Sequence, residues 1–314
     1  MSSGKRLLTI IGATGNQGGS ILDVFFSQSK LQAKYELRGV TRDPNSKKSQ
    51  SLKDKGVDMV KAELDDLEAL KSAFAGAYGV FGVTDFWSHL SKEREVQQGK
   101  NIFEACKTAG VKHFVFSDLA NAEKLSNGKL KHVDHFDGKS DVGEFADANK
   151  GDMIVSHFMP AMFIDFVKTS VNDVNGTPTI SMPFPSDTIP WPLIAPRRDG
   201  GKYVWGLFEG DEKADGAHVH AVSFWTTPKE VAAAFSKAAG KTVKFQTIPG
   251  DVFAGFLPEN VKQELLETMY LVGDYSYYGP GSEKEQAESE KWLLPGTSTI
   301  SVEEWAKENG PWNI

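Results

Sequence analysis

Two short stretches carry the residue types that could do chemistry. In "HVDHFDGKSDVGEF" (132–145), His135 and Lys139 stand four residues apart, which puts both side chains on one face of a helix. An imidazole beside a fixed ammonium offers a proton donor or acceptor next to a cation. The same cation disfavours the protonated, donating form of the ring. Ser117, closing the apolar run "VKHFVFS", offers a hydroxyl to a carbonyl group, or simply finishes a strand. The second stretch is "IIGATGNQGGSILDVF" (10–25), with Gly12, Gly15 and Gly18 in a G-x-x-G-x-x-G turn. Glycine there permits a tight turn and a close approach of backbone to a pyrophosphate. The helix that follows supplies unpaired N–H groups and a partial positive charge. Thr14, Asn16 and Gln17 share that loop and are expected to meet the same ligand.

A pyrophosphate implies a dinucleotide, and further residues fall where its ends would lie. "VTRDPNSKK" places Arg42 at the tip of a second strand, with Lys47 and Lys48 nearby. Arginine there accommodates the 2′-phosphate of NADP, whereas an acid would favour the ribose of NAD. Asp43, before Pro44, fits a turn. Glu63 is placed to meet the adenine edge, and Asp65 or Asp66 caps the next helix. Thr84, Phe86 and Trp87, in "GVTDFWSH", wall the dinucleotide or pack as core aromatics. Pro160 and Phe163, beyond the sixth apolar run, complete the candidate cofactor set.

The elements that must position these groups alternate. Strands are expected at Leu7–Gly12, Tyr35–Thr41, Val57–Ala62, Gly79–Val83, Val111–Ser117 and Met153–His157, and helices near 18–29, 46–55, 66–75, 92–109 and 136–148. That alternation predicts an α/β fold, a Rossmann-type doubly wound parallel sheet. Residues 1–170 form this NADP-binding domain. Residues 171–314 form a smaller α+β C-terminal domain over the sheet's C-terminal edge, with room for segments that return to the sheet. The Pro/Gly/Ser-rich stretch "SVNDVNGTPTISMPFPSDTIPWPLIAPRRDGG" reads as loops and short strands, not as another βαβ unit. A helix through "PKEVAAAFSKAAG", a strand in "TVKFQTI" and helices around 258–271 and 301–309 follow.

Composition narrows the function classes. The net charge of −7 provides no basic field for nucleic acid, and no apolar run reaches the ~18–20 residues of a membrane span. The single cysteine, Cys106, excludes an internal disulfide framework and reads as a buried, inert thiol. No metal site is expected: His218 and His220 share a strand face but bring no further ligands. "YSYYGPG" (275–281) is a lid or a packing turn, and "SEKEQAESEKW" a solvated helix face. The expected compartment is the cytoplasm, with the nucleus second.

"GATGNQGGS", "VTRDP", "VTDFW", "HFVFSDL" and "HFDGKSDVGEF" together resemble the NmrA-like family, atypical members of the short-chain dehydrogenase/reductase superfamily. "HFDGKSDVGEF" and "GVTDFW" look like its NADPH-sensing branch. The resemblance covers most of residues 5–170, and "ISVEEWAKEN" is similar to the family's last helix. It implies an NADP(H) domain, a smaller C-terminal domain and, for several members, regulation through nucleotide-dependent contacts with other proteins. Catalytic superfamily members carry Tyr-x-x-x-Lys after the fifth strand, the lysine binding the nicotinamide ribose. Here the pair is His135-x-x-x-Lys139, and the phenol is gone. The leading expectation is therefore an NADP(H)-binding redox sensor, acting through a regulatory protein partner without hydride transfer. Its rival is an NADPH-dependent reductase of a small carbonyl, imine or enone compound. A direct DNA-binding regulator ranks third, and an oligomer is compatible with either leading reading.

Overall fold

In the computed structural model, which describes residues 4–310 and 312, each apolar run of the first half becomes a strand. They are β1 (Arg6–Ile11), β2 (Tyr35–Thr41), β3 (Asp58–Lys61), β4 (Gly79–Gly82), β5 (His113–Ser117) and β6 (Ile154–Pro160). Helices lie close to the expected ranges, at Asn16–Ser27, Lys47–Asp54, Leu67–Phe74, Lys92–Ala109 and Asp134–Asn149. The sheet runs β3-β2-β1-β4-β5-β6 and ends on a seventh strand, His218–Ala221. Every neighbouring pair is parallel. The strand order reverses between β1 and β4, so a crevice opens at their C-terminal ends.

Both sheet faces are buried at the central strands, which is why β4 and β5 read as compact apolar runs, whereas the edge strand β3 exposes Asp58 and Lys61. Successive side chains alternate between two cores. Leu8, Ile10, Phe81, Val115 and Phe158 face the helices Asn16–Ser27 and Pro196–Gly210. Ile11, Val40, Val80, Phe114, Phe116 and Val155 face the helices Leu67–Phe74, Lys92–Ala109 and Asp134–Asn149.

The seventh strand corrects one expectation. The Pro/Gly/Ser-rich stretch does hold loops and short strands, but its last residues begin the helix Pro196–Gly210, which completes a crossover from β6 to the seventh strand. Glycines hid that helix, because each lowers helix propensity by about 1 kcal/mol relative to alanine. They are present because the helix packs too closely for side chains. A Cβ on Gly201 would stand 2.4 Å from the Ser20 carbonyl oxygen, and one on Gly206 1.7 Å from that of Trp292. Residues 196–221 thus return to the first sheet.

The remainder builds two three-stranded sheets. Trp191–Ile194 lies between Met162–Phe163 and Phe224–Thr226, and Thr177–Met182 lies between Val171–Val174 and Lys244–Thr247. The hairpin Val171–Met182 turns on Asn175-Gly176, both at positive φ, as a two-residue hairpin loop requires. Capping boxes start the helices Pro228–Ala239 (Thr227 with Glu230) and Val302–Glu308 (Ser301 with Glu304). The "SEKEQAESEKW" segment is also more than a solvated face. Within it, Ser289 accepts the His220 N–H at 2.9 Å and Gln286 donates to the His220 carbonyl at 3.3 Å, sealing the sheet's edge strand. Cys106 is buried. No helix among the described residues is long and apolar enough to cross a membrane.

A buried cation sits under the sheet's last strands. His157 Nδ1 meets Asp118 at 2.8 Å, its Nε2 meets Asp147 at 3.2 Å, and its ring stacks on His218 at 4.0 Å. Burial alone would lower the His157 pKa, but the two carboxylates outweigh it and push it up to about 9. Ligand atoms of Asp118, His157 and His218 lie within 4.8 Å of one another. His218 thus has candidate ligands beside it that the sequence did not show, although both His157 nitrogens are already bonded to carboxylates. Because the folded pKa exceeds the unfolded value of ~6.5, the folded state holds the extra proton between the two. The stabilisation is full below about pH 6.5 and is lost as pH rises through about 9. His157→Asn should therefore flatten this fall in stability, read from urea midpoints on either side of that window. An unchanged slope would show that His157 does not carry it.

Candidate functional site

A cleft of about 900 Å³ opens at the C-terminal ends of the strands, near the upper end of ligand-pocket sizes. The glycine turn lines it, as do Arg42 and Glu63 beyond β2 and β3, and Thr84 and Phe86 beyond β4. Ser117 ends β5, Pro160 ends β6, and Phe163 follows. His135 and Lys139 enter from the helix Asp134–Asn149. Thr14, Asn16 and Gln17 line the cleft too. Lys47 does not: it is exposed at the start of the helix Lys47–Asp54.

The turn has the form an anion needs. Gly12 adopts φ +66°, and the Gly15 N–H closes the loop onto the Gly12 carbonyl at 2.9 Å. A Cβ on Gly18 would lie 2.3 Å from that same oxygen, so the helix can start against the turn only as glycine. The helix Asn16–Ser27 has no side-chain N-cap and no acid in its first turn, leaving its positive end to a ligand. Gln17 Oε1 and Ser117 Oγ, both on cleft-lining residues, are buried without a hydrogen-bond partner. From behind, Arg197 braces the loop by donating to the Gly15 carbonyl at 3.0 Å. Arg42 is exposed and makes no ion pair among the described residues. Asp66, not Asp65, caps the next helix, accepting from Ala69 N at 3.0 Å. Asp65 instead takes Arg94 at 2.7 Å and Gln98 at 3.1 Å, and the guanidinium holds its carboxyl below the usual range.

Lys139 is held by a network that sequence reasoning missed. Its ammonium donates to Glu95 and to the Thr84 hydroxyl, each at 2.7 Å, and the Thr84 hydroxyl donates in turn to Glu95 at 2.7 Å. Glu95 is 0% exposed, and its second oxygen has no partner. Gly138 makes room for it, since a Cβ there would stand 3.2 Å from that oxygen. The lysine charge expected to act on His135 is therefore countered from below.

His135 is also engaged. Its Nδ1 bonds to Glu264, on the helix Lys262–Tyr275, more than a hundred residues along the chain. The same carboxylate accepts the backbone N–H groups of Asp134 at 3.0 Å and His135 at 3.1 Å. The helix Asp134–Asn149 has no side-chain N-cap from its adjoining residues, so Glu264 serves its first turn from outside. One turn on, Glu267 takes the N–H groups of Lys131 and His132 at 2.6 and 2.7 Å. The His135 ring is packed by Phe86, Trp87 and Phe136, at 5.9, 4.9 and 4.8 Å. Leu265, Met269, Phe166 and Met162 complete an apolar end to the cleft. Tyr277 also lines it, but it is no lid: Tyr277 and Tyr278 donate to the Pro160 and Met159 carbonyls at 2.9 and 2.8 Å, tying the turn to β6.

Sheet order, crevice and glycine turn together define a Rossmann-type α/β protein built to hold a phosphate-bearing ligand at its switch point. The NmrA-like family model matches residues 4–306, and the chain belongs to that family. Among its relatives, an NmrA-like family domain-containing oxidoreductase, hkm9 of Aspergillus hancockii, is 30% identical over 341 residues, covering 99% of each chain. NmrA itself, a negative transcriptional regulator solved in complex with NADP, superposes with a TM-score of 0.80 at 19% identity, over 98% of this chain and 95% of its own. The triphenylmethane reductase of Citrobacter sp., complexed with NADP(H), superposes at 0.71 with 18% identity, over 96% and 98%.

Proposed function

We propose that the cleft binds NADP(H) and that the chain reduces a small apolar carbonyl, imine or enone compound beside it. The observation that carries this reading is a single cleft that joins the glycine turn to an apolar end containing His135, Lys139 and Ser117. Strand order sets the orientation. Arg42 and Glu63 lie on the β2–β3 side of the crevice, suited to the 2′-phosphate and adenine, and Gly12, Thr14, Gly15, Asn16, Gln17 and Gly18 to the pyrophosphate. Thr84, Phe86, Pro160 and Phe163 wall the β4–β6 side, where Lys139 would hold the nicotinamide ribose. Bound NADPH supplies a hydride. Ser117 supplies a hydroxyl to the substrate's polar atom, and the apolar walls exclude water around it. The curated relative named above as an oxidoreductase, matching along the full chain, supports this reading.

A second reading, nucleotide sensing through contacts with a partner protein, is favoured by the replaced tyrosine and by the likeness to NmrA. One experiment separates the two. The chain is titrated with NADPH, NADP, NADH and NAD, and NADPH oxidation is then followed with a panel of carbonyl compounds. Turnover supports the reductase; tight binding with no turnover anywhere in the panel supports the sensor.

Arg42 should decide the nucleotide preference. It is exposed, with no ion pair among the described residues, at the rim of the cleft. Arg42→Ala should weaken NADP(H) binding tenfold or more, the loss of a charge-assisted contact of about 1.5–3 kcal/mol, and leave NAD(H) nearly unchanged. Equal weakening of both would show that Arg42 does not read the phosphate.

A further inference from the structure

The missing phenol leaves the reductase without an evident proton donor. We propose that His135 fills that role, with Glu264 as its positioning residue, so that the two form a proton-transfer dyad reaching from the helix Lys262–Tyr275 into the cleft. The inference rests on the reductase reading and adds to it a residue from the opposite half of the chain.

Three observations carry it. First, Nδ1 is bonded to a carboxylate that is itself almost wholly buried. An ionised carboxylate only accepts, so Nδ1 carries the proton and the ring's orientation and tautomer are fixed. Second, Nε2 has no protein partner among the described residues, is not sealed from solvent and belongs to a cleft-lining residue. Third, the ring cannot easily turn away, because Phe86, Trp87 and Phe136 pack it and Glu264 also holds its backbone N–H. A carboxylate fixing one imidazole nitrogen while the other faces the reacting group is the arrangement general acid–base catalysis uses. His135 also sits four residues before Lys139, on the helical face where the superfamily phenol would be.

The step balances with the nucleotide as the reductant. The substrate's carbonyl carbon accepts the hydride, its C=O π bond breaks, and the oxygen takes the proton from Nε2 of the protonated ring, with NADPH oxidised to NADP⁺. The neutral imidazole then regains a proton from water at the open side of the cleft, where Trp87 is 47% exposed.

The test uses the full chain with Glu264→Gln, which removes the charge and keeps the side chain's shape but only one of the two oxygens that separately accept the Asp134 and His135 backbone N–H groups. In nucleotide-free protein with ¹⁵N-labelled histidine, the His135 Nδ1–H should give a far-downfield, slowly exchanging resonance that moves upfield in the variant. With NADPH and 9,10-phenanthrenequinone, an aromatic dicarbonyl, kcat should fall at least tenfold in Glu264→Gln and in His135→Gln, with KM for NADPH unchanged. The double variant should lose no more than His135→Gln alone, because the carboxylate acts only through the ring. Turnover in Glu264→Gln or His135→Gln equal to the wild type, or a downfield resonance absent from the wild type, overturns the dyad while the reductase reading stands. No NADPH oxidation by wild type with any carbonyl, enone or imine probe overturns that reading and the catalytic role together. If Glu264→Gln fails to fold, His135→Gln, which leaves every Glu264 contact to backbone in place, gives the kinetic answer alone.

Discussion

Gly18→Ala should reduce NADP(H) affinity at least a hundredfold, about 2.7 kcal/mol, although it adds a single methyl group. The reason is what the methyl meets. It would stand 2.3 Å from the Gly12 carbonyl oxygen, 2.6 Å from its carbon and 2.9 Å from the Ala13 nitrogen, all backbone atoms of the turn itself. Backbone can yield only by shifting the turn, and the turn and the first N–H groups of the helix are the anion site. Gly19→Ala is the informative control. Its methyl would lie closer still, 1.4 Å from an Arg197 nitrogen, but that atom ends a long, half-exposed side chain that can swing aside. Gly19→Ala should therefore bind within a few-fold of the wild type. Gly15→Ala lies between these cases: the Gly15 φ is −92°, so no left-handed strain opposes a side chain, and a Cβ would stand 3.2 Å from the Gly12 oxygen. Calorimetric titration with NADPH orders the three variants, and circular dichroism confirms that each is folded. If Gly19→Ala lost as much as Gly18→Ala, the binding defect would not come from displacement of the turn.

How much of this was legible depends on whether a residue acts through local pattern or through a partner far along the chain. The parallel sheet was readable because both its faces are buried at the central strands, so those strands appear as apolar runs between helices. The glycine turn was readable because strand, turn and helix are contiguous. The helix Pro196–Gly210 was not, because its glycines answer to Ser20 and Trp292 rather than to the helix itself. The acids that grip the two candidate site residues were hidden for a related reason. Glu95 shares a helix face with Gln98, Gly99, Ile102, Phe103 and Cys106, all buried, and Glu264 shares one with Glu267, Thr268, Leu271 and Val272. An acid in the apolar register of a helix must have a cation or a set of N–H donors waiting for it. That register was the available signal. It says that a partner exists, but only the packing of the Lys92–Ala109 and Lys262–Tyr275 helices on Asp134–Asn149 identifies Lys139 and His135.

The Glu95–Lys139 pair should show this dependence as an asymmetry in stability. In Lys139→Met, the Glu95 carboxylate, 0% exposed, keeps only the Thr84 hydroxyl and loses its cation. Removing one partner of a buried ion pair costs about 3–5 kcal/mol, and this carboxylate has no route to water. In Glu95→Leu the remaining charge is the ammonium, which ends a flexible side chain on the cleft wall and can turn toward solvent. That variant should lose clearly less stability than Lys139→Met, and should keep NADP(H) binding within about tenfold, because the ribose contact is still available. The double variant Glu95→Leu/Lys139→Met buries no charge, and a well-packed apolar pair can match an ion pair. Its urea midpoint should recover toward the wild type while its NADP(H) binding stays weak. Stability and binding would then separate within one cycle of four proteins, with Glu95 contributing to the first and Lys139 to both. Equal stability in all four would mean that the pair is not a buried charge couple. Weak binding in Glu95→Leu as severe as in Lys139→Met would mean that the lysine holds nucleotide only while Glu95 aims it.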